Sequence, residues 1–189
     1  DGETTEQLIE RTQRGIDLWN ELIEITGGAL EPRKTDWCIV SYEKECGIWI
    51  PHSQKASMTI IDEENKERIT LQQLMAWEAR RTLGIFQACD GNQIKQTQVM
   101  VEIIRTYGEQ MTKSAISRRE KELALNSTIS RTLMYGAQAT TLTKEQANTI
   151  NKELRKAVIQ GLGIPASTAK ALIHGPKAKN GLGILDFYT

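Results

Sequence analysis

Clustered cations are the residues with the clearest chemical use. Lys113, Arg118, Arg119 and Lys121 gather around one predicted helix start, and Lys152, Arg155 and Lys156 recur along another predicted helix. Side chains of this kind hold phosphate oxygens whatever the phosphate carries, with a strength that falls steeply as salt rises. Arg118 and Arg119 stand where unpaired backbone N–H groups would add their own attraction for phosphate. Lys152 to Lys156 read first as a charged, solvated helix face. Arg80 and Arg81 form a dibasic pair that either touches phosphates or stands in water. Beside them, the glycine of Leu83-Gly84 permits either the close approach of another backbone or a tight strand turn packed on the first helix.

Other chemistries lack their residues. Cys38, Cys46 and Cys89 are an odd number without a Cys-x-x-Cys pair, which predicts reduced thiols rather than a disulfide framework or a zinc knuckle. Cys38, Cys46 and His52 could approach one metal, but a fourth ligand at suitable spacing is missing. Asp62-Glu63-Glu64 falls in a predicted turn and reads as a solvated loop. The two histidines, His52 and His174, are far apart and have no Ser or Cys elbow, so a catalytic triad is not expected. Gly161-Leu162-Gly163 and Gly181-Leu182-Gly183 lack the Lys-Ser/Thr of a phosphate loop. Aromatic residues are 5% of the chain, too few to interleave with these cations as a base-stacking surface.

These residues must be positioned by a chain of 189 residues with 24 basic and 24 acidic side chains. The neutral total hides an asymmetry: residues 1–89 carry 16 acids against 10 bases, and residues 90–189 carry 8 acids against 14 bases. A strongly basic clamp and an acidic tail are both excluded. No run approaches the ~18 apolar residues of a membrane span. The opening Asp1-Gly2-Glu3-Thr4-Thr5 is acidic and polar, reads as neither a signal nor a transit peptide, and lacks a start methionine, as an excised piece would.

Patterning predicts an α+β chain, with a hairpin-rich sheet and a packing helix over residues 1–88 and a helical bundle over 89–189. Thr4 and Gln7 form a capping box for a first helix to Ile25, whose apolar stripe is Leu8, Ile9, Ile16, Trp19, Leu22 and Ile23. Trp19 and Trp37 are expected to fill the space between this helix and the sheet. Asp36–Tyr42 and Ile48–Ile50 read as one hairpin around Glu43–Gly47, closed by Pro51, and Ser57–Ile61 with Glu67–Thr70 as another. Thr82–Phe86 reads as a further strand. Ser117/Glu120 and Thr143/Gln146 are two more capping boxes, the latter opening a helix with Gly161 past its end, and a short helix follows near Ser167–His174.

Four landmarks in this order carry a resemblance: Thr26-Gly27-Gly28-Ala29-Leu30 with Lys34-Thr35; Arg81-Thr82-Leu83-Gly84-Ile85 followed by Asp90-Gly91; Ile129-Ser130-Arg131-Thr132-Leu133-Met134-Tyr135-Gly136; and Asn180-Gly181-Leu182-Gly183-Ile184-Leu185-Asp186-Phe187. From about residue 15 onward the chain resembles the region after the catalytic aspartates in reverse transcriptases of non-LTR (LINE-type) retrotransposons. The resemblance implies the end of the palm followed by the helical thumb and connection. It implies that Lys34 stabilises or protonates the departing pyrophosphate, with an exposed loop lysine as the plainer alternative. It implies that Leu83-Gly84 steadies the primer end, and that Arg80, Arg81, Lys113, Arg118 and Arg119 touch an RNA–DNA or RNA template–primer duplex.

That family holds its Mg2+ ions on an aspartate and an Asp-Asp pair, and neither constellation appears here. Leu185 also replaces the usual proline of the last landmark. The resemblance therefore implies a piece that holds no cofactor, is silent alone, and works with upstream fingers and palm inside the cell, in nucleus or cytoplasm, away from any membrane. The alternative is a decayed or domesticated relic serving as a protein-interaction module.

Overall fold

The computed structural model describes residues 4–62 and 67–188. Helices and small strand pairs make the chain α+β, and it divides into two units: Asp1–Ala79 with Ala88–Gly91, and Arg80–Gln87 with Asn92–Thr189. The division differs from a cut between 88 and 89 because the segment 80–87 groups with the helices.

In the first unit, helix α1 (Thr5–Ile25) begins at Thr4, whose side chain and that of Gln7 cap each other's backbone N–H. Strands β1 (Asp36–Trp37), β2 (Val40–Glu45), β3 (Ile48–Ser53), β4 (Thr59–Asp62), β5 (Glu67–Thr70) and β6 (Gln72–Gln73) follow. They form three separate two-stranded ladders rather than one sheet: β1 parallel to β6, and hairpins β2–β3 and β4–β5. The first hairpin is longer than expected. Glu43–Glu45 are strand, the turn shrinks to Cys46-Gly47, and Pro51 sits inside β3 opposite Tyr42. Of the Asp62-Glu63-Glu64 cluster, the two glutamates lie outside the described residues.

Trp37, Ile39, Met58, Ile60 and Leu71 form this unit's core, joined by Leu8, Ile9 and Ile16 of α1. Trp37 lies there as expected, its indole N–H donating to Leu71 O at 3.3 Å. Trp19 does not: it is 59% exposed. Two amides share the face that α1 turns inward. Gln13 donates to Thr59 O at 2.8 Å and accepts from Thr59 N–H at 2.9 Å, while Asn20 donates to Ile61 O at 3.3 Å. These side chains satisfy backbone groups along the free edge of β4 and so take the place of another strand. The expected thiols are also corrected. Cys38 and Cys89, Cα atoms 6.8 Å apart, are joined in a disulfide, so the notional Cys38–Cys46–His52 metal set is excluded, and Cys46 alone stays free and exposed.

The second unit holds most of a hairpin, β7 (Ala79–Thr82) and β8 (Ile85–Ala88), and five helices: α2 (Ile94–Lys113), α3 (Arg118–Ala124), α4 (Ser130–Gln138), α5 (Lys144–Leu162) and α6 (Lys170–His174). The run read as one strand thus turns back at Leu83-Gly84. A π-helical turn, Leu125–Ile129, links α3 to α4 and keeps both Leu125 and Ile129 buried. Both remaining capping boxes form. Gly161 lies inside α5, and the residue past its end is Gly163, which takes the left-handed conformation that stops a helix. Met100, Ile104, Leu125, Leu133, Ile150, Leu154 and Val158 form the centre of the core, and Ile184 of the closing segment joins them. Among the described residues no helix is long and apolar enough to cross a membrane.

Candidate functional site

The β7–β8 hairpin turns on two residues with positive φ, Leu83 (50°) and Gly84 (89°). Two-residue hairpin turns favour this geometry because it matches strand twist, but it is uncommon for leucine. A long-range contact supports it. The Tyr135 hydroxyl, on α4, donates to Leu83 O at 2.6 Å. Next to Tyr135, Gly136 makes room for Gln96: a Cβ there would come 2.5 Å from Gln96 Nε2. Gln96, only 4% exposed, in turn accepts from Phe86 N–H at 2.9 Å. The second and third sequence landmarks therefore meet, one holding the other's turn. The Leu83 side chain is left 87% exposed at the tip, with Arg80 and Arg81 on the adjoining strand.

A cleft of about 970 Å3 runs beside α5. Lys152, Arg155, Lys156, Lys170 and His174 line it, with Asp186 and Tyr188 from the closing segment. The segment 181–188 folds back to make that wall. Leu182 N–H and Ile184 N–H donate to Leu172 O and Ile173 O at 2.9 and 3.1 Å. Gly175 and Gly181 pass so close that a Cβ on Gly181 would enter the Gly175 carbonyl. Asn151 clamps the end, donating to Asp186 Oδ1 at 2.6 Å and accepting from Phe187 N–H at 3.0 Å.

The cleft's electrostatics follow from these bonds. Its acid, Asp186, is occupied by Asn151 and by Tyr188 N–H. Arg155 ties down the loop before α6 by donating from Nη2 to Thr168 O at 3.1 Å, and its Nε is buried without a hydrogen-bond partner. His174 Nδ1 faces Ile184 O at 3.1 Å, a carbonyl that only accepts, so Nδ1 carries the hydrogen and Nε2 is left for the cleft. The exposed Lys152, Lys156 and Lys170 along this wall suit an anion with several oxygens, such as a phosphate.

The acid next in sequence, Glu153, is paired away from the cleft. Arg105 on α2 donates to it through Nε and Nη2, both at 3.1 Å. That fork holds the Glu153 carboxyl below its usual 4.5, helped by Lys156 and Lys152, and raises the guanidinium above its own ordinary value. A depressed carboxyl pKa contributes stability that is complete above the unfolded value and is lost as pH falls through the folded one. The melting temperature of the second unit should therefore fall on acidification below about pH 4.5, and Glu153→Gln should flatten that part of the acid limb, as thermal melts across pH would read. Salt should weaken the effect, because the pair is near the surface.

The other expected residues are not among those lining the cleft. Lys113 pairs with Glu109 at 3.7 Å, and Arg118 and Arg119 are exposed at the start of α3. There the Glu120 carboxylate takes Ser117 N–H (2.7 Å) and Oγ–H (2.6 Å), which lowers its pKa and puts an acid in the same first turn as Arg118 and Arg119. Lys34 is exposed in the first unit, in a single 3-10 turn (Pro32–Lys34), on a cleft of about 820 Å3 shared with Arg33, Glu31 and Asp62. Sequence reading missed Lys170 and His174 as cleft residues, and the available signal was the glycine-rich return of 181–183.

Among the described residues, the one trio of metal-ligating side chains is Glu43, Glu45 and His52. Its single imidazole and exposed hairpin do not fit a two-Mg2+ carboxylate cage. No protein-family model, curated protein or solved structure matches the chain.

Proposed function

We propose that the chain is part of a retroelement RNA-directed DNA polymerase of the non-LTR kind, from the end of the palm through the thumb and connection. It grips the template–primer duplex there without supplying the catalytic aspartates, and it is inactive alone. The observation that supports this reading most is the joining of two of its sequence landmarks, Arg81–Ile85 resting through Leu83 O on Tyr135. The cationic cleft beside α5 adds to it.

In this reading the exposed Leu83-Gly84 tip steadies the primer end. Arg80, Arg81, Lys152, Lys156 and Lys170 meet phosphates, with Lys113, Arg118 and Arg119 as outlying contacts. Lys34 neutralises charge on the pyrophosphate side. Mg2+ belongs to aspartates outside these residues, the partners are an RNA–DNA or RNA template–primer and the fingers and palm of the same polypeptide, and the compartment is intracellular.

The test is fluorescence anisotropy with an RNA–DNA hybrid at several salt concentrations. Binding should weaken with salt, and Lys152→Glu with Lys156→Glu should reduce affinity at least about tenfold and flatten the log–log salt slope by about 2. No binding at low salt, or binding indifferent to charge reversal both here and at Arg118 and Arg119, would remove the reading. That outcome would favour the second reading, a relic acting as a protein-interaction module, for which the exposed Leu18, Trp19, Leu22 and Ile25 on one side of α1 speak.

A further inference from the structure

The β2–β3 hairpin carries a side-chain group that nucleic-acid binding does not use. Pairing sets Ser41 opposite His52, Glu43 opposite Ile50 and Glu45 opposite Ile48. Side chains alternate along each strand, so Glu43, Glu45 and His52 share one face, and Lys44, the only lysine or arginine of these two strands, takes the other. One ligand atom from each of the three lies within 4.8 Å of the others, and Glu45 Oε1 is 3.5 Å from His52 Nε2. That nitrogen is itself shut off from solvent and makes no hydrogen bond, although the imidazole as a whole is 40% exposed. Two carboxylates this close repel each other, and a desolvated ring nitrogen that makes no hydrogen bond is costly. A dication placed among them relieves both.

We propose that Glu43, Glu45 and His52 form a binding site for a transition-metal dication of the Zn2+ type, with water completing its coordination. Zinc bonds of about 2.0–2.2 Å around a tetrahedral ion set neighbouring ligand atoms about 3.3–3.6 Å apart. The His52–Glu45 distance already meets that spacing, and closing the third ligand from 4.8 Å or less needs little more than a side-chain rotation of Glu43. The imidazole sets the selectivity, because Mg2+ and Ca2+ prefer all-oxygen sets while Zn2+, Co2+ and Ni2+ accept nitrogen. The site lies on strands of the first unit and stands whether or not the chain binds nucleic acid.

The test is titration of the full chain with Zn2+ or Co2+, using Cys46→Ser to remove the free thiol at the neighbouring turn. One equivalent should bind, and His52→Ala or the pair Glu43→Gln and Glu45→Gln should each weaken binding at least about tenfold. The chain has only two histidines, so His174 is an internal control: Co2+ should shift or broaden the His52 ring resonances in NMR and leave those of His174 unchanged. Three results would each overturn the site: no binding at millimolar metal, binding indifferent to His52→Ala, or equal competition by Mg2+. Loss of binding in Cys46→Ser while His52→Ala binds normally would do the same, by making the thiol the ligand.

Discussion

Gly108→Val is expected to destabilise the helical unit by about 3 kcal/mol, the upper end of what overpacking a well-filled interior costs. The reason is the closeness of α2 and α5. A Cβ on Gly108 would lie 2.8 Å from the Ala157 Cβ and 3.3 Å from its Cα, and backbone there cannot swing aside as a side-chain tip can. Ala157 is buried, with Leu154 and Val158 around it, so the helices would have to separate and uncover the centre of the core. Gly108→Ala separates two opposing effects. It gains up to about 1 kcal/mol of helix propensity, yet still presses on Ala157, so it should come out near neutral or slightly worse. Gly161, which also faces α2, meets only the Met111 side chain, whose Cε at 3.1 Å can yield although its Cβ at 3.2 Å moves only with α2, and Gly161→Ala should cost less than Gly108→Val. Urea unfolding followed by helical circular dichroism reads all three. Ala157→Gly should restore part of the Gly108→Val loss as a coupling of about 1 kcal/mol or more. A wild-type midpoint in Gly108→Val would mean that the helices are not this close.

What the sequence made legible was local. All three capping boxes are reciprocal bonds between residues three apart, and each formed where Thr4, Ser117 and Thr143 predicted. The features it hid depend on partners far along the chain. Thr82–Phe86 reads as one strand because nothing nearby explains a left-handed leucine. The support for that turn is Tyr135, 52 residues on. Apolar spacing on α1 found Leu8, Ile9 and Ile16, which do face the core, but it also favours Trp19, whereas Gln13 and Asn20 share that inward face by bonding a strand edge more than forty residues away. Lys152, Arg155 and Lys156 look like an ordinary charged face until residues 181–188 fold back to wall them in. Glu43 and Glu45 looked like turn residues, and only the two-residue turn at Cys46-Gly47 fixes the register that brings His52 to them. The palm and thumb assignment comes from the order of short motifs, and it stands or falls with hybrid binding.

Reducing the Cys38–Cys89 disulfide, or replacing it by Cys38→Ser with Cys89→Ser, is expected to remove about 4 kcal/mol from the first unit. Joining residues 51 apart in sequence withdraws that much chain entropy from the unfolded state in the loop-closure description. The loss falls on a unit with little in reserve. Its core is five buried side chains, and its strands pair only in twos, an arrangement that is marginal without helices or cross-links. The helical unit has its own core and no cysteine, so its melting should not move. Calorimetry with and without reductant, or limited proteolysis over residues 39–79, would separate the two units. Thiol titration in denaturant should find one reactive thiol, Cys46, before reduction and three after it. Three thiols from the start, in protein kept from reductant, would show that the cross-link does not form. The result also bears on the proposed intracellular setting, where reducing conditions keep such pairs open. There the first unit must stand as a dithiol, held by Trp37, Met58 and Ile60 and by the amide bonds of α1. A polymerase piece working in that setting would need the rest of its polypeptide to complete this small unit's packing, and dithiol protein alone should be the form that proteases cut first.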